Sequence, residues 1–351
     1  MSDTLPRTHI VGAGLIGASI GIGLSAEGWP VTIADADAQA EALARSIGAG
    51  GTLGEQSPDL VIVATPPSVA GAMVVHALRT WPDAVVTDVA SVKAPIAEAA
   101  DATGQGARYV GSHPMAGREL SGGLAAQGDL FKARPWVICP NGAAAAAVEL
   151  VLRVPAALQC DVVTMEAAAH DAAVARVSHA PQVAASAVAA ALGALHSDDV
   201  ALAGQGLRDV TRIAGSAPGM WADIARLNRG HLVETLDHII ADLEDLRESD
   251  DIGEAVTDLI ERGRFEVARI PGKHGGATRD WAGVTVIVPD EPGHLLKLLG
   301  DTAQVDVNVE DITIEHSPRQ PVGLTTLYVL PSRAAELVAA LESQGWEIAA
   351  S

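Results

Sequence analysis

Cysteine is nearly absent from this chain: Cys139 and Cys160 are the only two in 351 residues. No C-x-x-C or comparable spacing joins them, which argues against a structural zinc and a disulfide framework and fits a reduced, cytoplasmic protein. The 11 histidines do not cluster as ligands, so no metal is expected. Positive charge is scarce too: 23 Lys plus Arg against 44 Asp plus Glu leave a net charge of −21. That balance disfavours nucleic acid and anionic membrane as partners. An anionic small-molecule substrate would need a local arginine against the overall field. No run of about 18 apolar residues occurs, and residues 1–7 lack a basic start followed by an apolar stretch, so neither a membrane span nor a secretion signal is expected.

What is present is 48% hydrophobic residues, enough for two or three domains with real cores. Short β-branched runs at 9–11, 31–34, 60–64, 84–89 and 136–139 alternate with helical segments, the first of them at 15–26. This pattern predicts an α/β fold with a doubly wound, Rossmann-like parallel sheet over residues 1–155. The alanine run 143–147 reads as helix filler. Residues 156–268 turn to alanine, leucine and charged residues without strand-like alternation, which predicts an all-helical domain. Val174, Val177 and Val188 lie there among so many alanines that close helix approach and a homodimer interface are expected. A basic, glycine-rich linker follows at 269–281. Residues 282–351 then read as strand, helix, strand, strand, helix, strand, a ferredoxin-like βαββαβ unit.

Gly12-Ala13-Gly14-Leu15-Ile16-Gly17 follows the first strand and opens the first helix, the context that makes G-x-G-x-x-G a dinucleotide fingerprint. Gly12 serves the tight turn, Gly14 the close approach of pyrophosphate, and Gly17 the packing of helix on strand. Asp35, at the end of the second strand, can accept from ribose hydroxyls and would repel a 2′-phosphate, which favours NAD over NADP.

Between glycines 111 and 122 stands His113, an imidazole on what reads as a loop downstream of that fingerprint; the bland alternative is a satisfied structural histidine. Ser91 falls at a strand's carboxyl end, where its hydroxyl can face a ligand or simply cap the next helix. Ser178-His179-Ala180-Pro181-Gln182 interrupts an alanine-rich helix with proline and puts His179 and Gln182 on one face. Asp209 and Arg212, three apart, form either a held carboxylate-binding guanidinium or an ordinary intrahelical ion pair.

Taken in order, G-x-G-x-x-G, Asp-x-x-Ser-Val-Lys, Gly-Ser-His-Pro-Met-Ala-Gly-x-Glu-x-Ser-Gly, Ser-His-x-Pro and Arg-Asp-x-Thr-Arg-Ile-Ala resemble the prephenate/arogenate dehydrogenases of tyrosine biosynthesis over about residues 8–270. The terminal unit, with Asp290-Glu291-Pro292-Gly293-His294-Leu295, more loosely resembles an ACT regulatory domain. The resemblance implies NAD-dependent oxidation and decarboxylation of prephenate to 4-hydroxyphenylpyruvate, with His113 removing the C4 hydroxyl proton and Ser91 beside it. It also implies that Arg212 binds a substrate carboxylate, that Glu119 and Asp209 position Arg212, that Trp221 lines the pocket, and that tyrosine acts as effector. Gln182 stands where some members have a second histidine, which leaves arogenate as the alternative substrate. Dehydrogenases of 3-hydroxy acids, imine reductases and a non-catalytic sensor of NAD and an amino acid are the more remote readings.

Overall fold

The computed structural model describes residues 4–116, 122–270, 281–316 and 321–349. Glu119 and residues 271–280 of the expected linker lie outside the described residues. The chain forms two compact units, Met1–Ala241 and Asp242–Ser351.

The first unit opens with β1 (Thr8–Val11), α1 (Leu15–Ala26), β2 (Val31–Ala34), α2 (Ala38–Ser46), β3 (Leu60–Val63), α3 (Pro67–Thr80), β4 (Val85–Asp88) and α4 (Ala94–Asp101). It continues through β5 (Tyr109–Pro114), β6 (Pro135–Cys139), α5 (Ala145–Ala157) and β7 (Asp161–Thr164). All four residues of β3 are buried, as expected of a central strand covered by helices on both faces. The order is β2-β1-β3-β4-β5-β6-β7. The expected parallel arrangement holds from β2 to β5.

Three sequence expectations are corrected here. His113, expected on a loop, sits on strand β5, paired with Val137 of β6. That pairing is antiparallel, so β6 reverses the sheet. The sheet also outlasts the expected limit at residue 155: α5 runs straight through Val154 and Pro155, and β7 then adds a strand parallel to β6. After the reversal the chain leaving β5 comes back over α1. There the Gln127 amide donates to Ser19 Oγ at 3.0 Å, and Leu130 and Phe131 join the core that holds Ile20 and Leu24 of α1.

The helical region holds α6 (Ala167–Val174), α7 (Ala180–Ala191), α8 (Ser197–Val200), α9 (Gln205–Thr211), α10 (Pro218–Leu227) and α11 (Arg229–Glu248). Pro181 does not break the helix as expected. A π-helical turn at Ala175–His179 joins α6 to α7 without interruption, and Pro181 falls in the first turn of α7, where its missing N–H costs little. Of the three valines expected at an interface, Val177 and Val188 are exposed, whereas Val174 is buried in its own chain. No helix among the described residues is long and apolar enough to cross a membrane.

The second unit holds α12 (Ile252–Val267), β8 (Ala282–Pro289), α13 (His294–Ala303), β9 (Asp311–His316), β10 (Val322–Val329), α14 (Pro331–Ser343) and β11 (Glu347–Ile348). Its last six elements give the expected βαββαβ order, with an antiparallel sheet β11-β8-β10-β9. Alternate residues of β8 and β10, among them Val284, Val286, Leu327 and Val329, pack on Leu298, Leu337 and Leu341 of the helices.

Candidate active site

The glycine turn after β1 is shaped by contact. Gly12 takes φ +112°, and a Cβ there would stand 2.4 Å from the Ala64 carbonyl oxygen; a Cβ at Gly17 would stand 2.0 Å from the Gly12 oxygen. Gly14 has nothing within 4 Å of its Cβ position, so the face beside the first turn of α1 is open. That turn has no side-chain cap and no acidic residue, leaving its N–H groups available to an anion. Asp35 accepts from the Ala13 amide at 2.6 Å and the Asp37 amide at 2.9 Å, which ties its carboxylate to the same turn. An open cradle, free helix N–H groups and an acidic group at the end of β2 fit a dinucleotide.

The carboxyl ends of β4 and β5 carry a buried polar network. Lys93 and Asp88, both fully buried, form an ion pair. The Lys93 ammonium also donates to the Ser112 carbonyl at 2.8 Å, and the Tyr109 hydroxyl donates to Asp88 at 2.7 Å. Burial, then the Asp88 charge, pushes the Tyr109 phenol well above its ordinary range. Asp171 accepts from the Lys93 and Ala94 amides at the start of α4, both at 2.8 Å, and from His170 Nδ1 at 2.8 Å. His170 Nε2 in turn lies 2.9 Å from His113 Nδ1. Burial, reinforced by the Lys93 charge, holds the His113 imidazole well below its ordinary pKa, so it is neutral at pH 7.

A cavity of about 360 Å³ lies between α7 and α10, lined by His179, Gln182, Val183, Ala214, Trp221 and Ile224 among others. Asn228 Nδ2 donates to the Asp171 carbonyl at 2.7 Å and lies 3.2 Å from His179 Nδ1, which makes that nitrogen the acceptor and puts the His179 proton on Nε2. Burial lowers His179 to about 4, so the ring is neutral. Its Nε2 and the Trp221 Nε1 are buried and have no partner among the described residues. Two N–H donors left in this state cost about 1–3 kcal/mol each unless a ligand oxygen accepts from them. Gln182 donates to the Ile213 carbonyl at 2.9 Å, so its amide orientation is set.

The structure thus brings together His113 and the His179, Gln182 and Trp221 cavity through Asp171. Ser91 is half-buried, with no hydrogen-bond partner among the described residues. Arg212 is exposed and does not line the cavity. Asp209 accepts from Gln205 at 2.7 Å and forms no ion pair with Arg212 among the described residues; α9 ends between them and the chain tightens into a 3₁₀ turn. The sequence motif held Asp88 and Lys93 without giving them a role, and His170, Asp171 and Asn228 went unnoticed. The signal was there: a His-Asp pair inside an alanine-rich helical stretch has to find polar partners once buried.

Two family models match the chain: the prephenate dehydrogenase nucleotide-binding domain over residues 20–164 and the prephenate dehydrogenase dimerization domain over residues 166–256. A curated relative, the probable prephenate dehydrogenase NovF of Streptomyces niveus, is 34% identical over 96% of this chain and 98% of its own. The crystal structure of A. aeolicus prephenate dehydrogenase with hydroxyphenyl propionate and NAD+ superposes with TM-score 0.66 at 27% identity, covering 76% of this chain and 100% of that one. Synechocystis arogenate dehydrogenase superposes with TM-score 0.64 at 26% identity, covering 75% and 99%. With the nucleotide-binding model over residues 20–164, the dimerization model over 166–256 and a relative 34% identical along nearly the whole length, this chain belongs to the prephenate dehydrogenase family.

Proposed function

We propose that this chain catalyses the NAD-dependent oxidative decarboxylation of prephenate to 4-hydroxyphenylpyruvate, with His113 as the general base. The observation that carries this reading is a neutral imidazole at the carboxyl end of β5, in the same sheet as the glycine cradle. NAD fits that cradle, with Gly12, Gly14, Leu15, Ile16 and Gly17 at the phosphates and Asp35 at the adenosine ribose. When bound, its nicotinamide supplies the hydride acceptor. His113 takes the C4 hydroxyl proton as C4 becomes a carbonyl. The ring carboxylate then leaves as carbon dioxide, its bonding pair makes the ring aromatic, and His113 returns the proton to the phenolic oxygen.

Ser91 is read as the hydroxyl that orients base or nicotinamide. His179 Nε2 and Trp221 Nε1 supply neutral donors for a substrate oxygen, beside Gln182. Arg212, positioned by groups that include Glu119, is the cation for a substrate carboxylate, and Asp209 stands on the preceding helix. The helical domain makes a homodimer, which would cover Val177 and Val188. The C-terminal βαββαβ unit is read as an ACT-like sensor with tyrosine as effector; a rate that stays flat when tyrosine is titrated onto the full chain removes that role.

Gln182 gives the arogenate reading its support, because an uncharged amide lines the cavity where the resemblance puts a second histidine in some members of the family. Steady-state rates with both substrates and both NAD and NADP test the assignment. The expected result is higher kcat/KM for prephenate with NAD; far higher kcat/KM for arogenate makes the chain an arogenate dehydrogenase, and no turnover with either leaves a sensor.

A further inference from the structure

We propose that His170, held by Asp171, is a positioning residue that fixes the tautomer of His113 and thereby selects Nε2 as the basic atom; this rests on the reading of His113 as the base. The Asp171 carboxylate only accepts hydrogen bonds, and it already takes the Lys93 and Ala94 amides. The bond to His170 Nδ1 therefore carries the His170 proton on Nδ1. In the neutral ring Nε2 is then the acceptor, and the partner 2.9 Å away, His113 Nδ1, is the donor. His113 is left with its lone pair on Nε2. His170 is fully buried and Asp171 nearly so, so no solvent competes for these bonds, and the two rings meet at 78° with centroids 5.1 Å apart. When His113 takes a proton on Nε2, the same Nδ1–H bond to His170 persists, so no rearrangement accompanies the transfer.

Three variants and one spectrum test this. His113→Asn should lower kcat by on the order of 10²–10⁴ while cofactor binding persists. His170→Leu, which removes the acceptor, should lower kcat by on the order of 10² or more with KM for the substrate little changed. His170→Gln, whose amide oxygen can stand where Nε2 stands but cannot titrate, should recover activity to within about tenfold of the unaltered chain. ¹⁵N spectra of the unaltered protein should show His113 as the Nδ1–H tautomer, a readout that needs no variant to fold. An Nε2–H tautomer overturns the proposal, as does a His170→Leu variant within about threefold of full activity. Equal losses in His170→Leu and His170→Gln also overturn it, since they would mark a purely structural or titrating role. If instead His113→Asn keeps its turnover, the base assignment itself has failed.

Discussion

The two polar regions around Asp171 differ in how completely they are satisfied. At the ends of β4 and β5, Asp88, Lys93, Tyr109, Ser112, His170 and Asp171 are buried and bonded to one another, while in the cavity between α7 and α10 the donors of His179 and Trp221 have no partner among the described residues. A closed network gives position, because each member has one low-energy arrangement; an open pair of donors gives binding, because the missing acceptors must come from a ligand. One residue, Asp171, reaches both: its carboxylate holds His170, which meets His113, and its main-chain carbonyl accepts from Asn228, which leaves His179 a donor.

Breaking the closed region should have the largest effect. Lys93→Met leaves Asp88 buried without its counter-charge and should cost about 3–5 kcal/mol of folding stability, read from urea midpoints. A smaller loss would mean that water reaches Asp88 and that the network is not closed. In the open region, Trp221→Phe keeps the packing and removes one donor. It should cost about 1–3 kcal/mol in kcat/KM, mostly through KM, with little change in stability; an unaltered KM would show that this N–H meets no substrate oxygen.

The smallest effect, and the finest discrimination, is in the pH profile. A base must be unprotonated, and a lowered pKa keeps it so to lower pH. The Lys93 charge disfavours a second positive charge on His113; the His170 and His179 rings also face it, with Asp88 and Asp171 behind them. The kcat/KM for the substrate should therefore stay level from pH 8 down past about 6.5, the ordinary histidine value, and fall only in more acid solution. A fall centred near 6.5 would mean that His113 titrates as if in water.

The sequence made the cofactor end legible because glycine spacing there has a steric cause: Gly12 and Gly17 are forced by carbonyl oxygens within 2.4 Å of where a Cβ would go. Helix α1 and strand β2 fall where the hydrophobic pattern predicts them. The reversal at β6 was not legible, since a buried strand has the same apolar composition in either direction. Nor was the π turn, in which an inserted residue leaves no compositional mark beyond Pro181. His113 stood out by its motif, yet its placement depends on His170, 57 positions away, and that long-range pairing has no local signature.

The reversed strand β6 has a mechanical corollary. Because the chain beyond His113 must double back to pair with the strand it has just left, its return path is stitched to α1 at Ser19, on the helix whose first turn faces the cofactor cradle. A bulky residue in place of Ser19 would therefore press on the segment that carries the chain back toward β6, on the helix whose first turn borders the cradle.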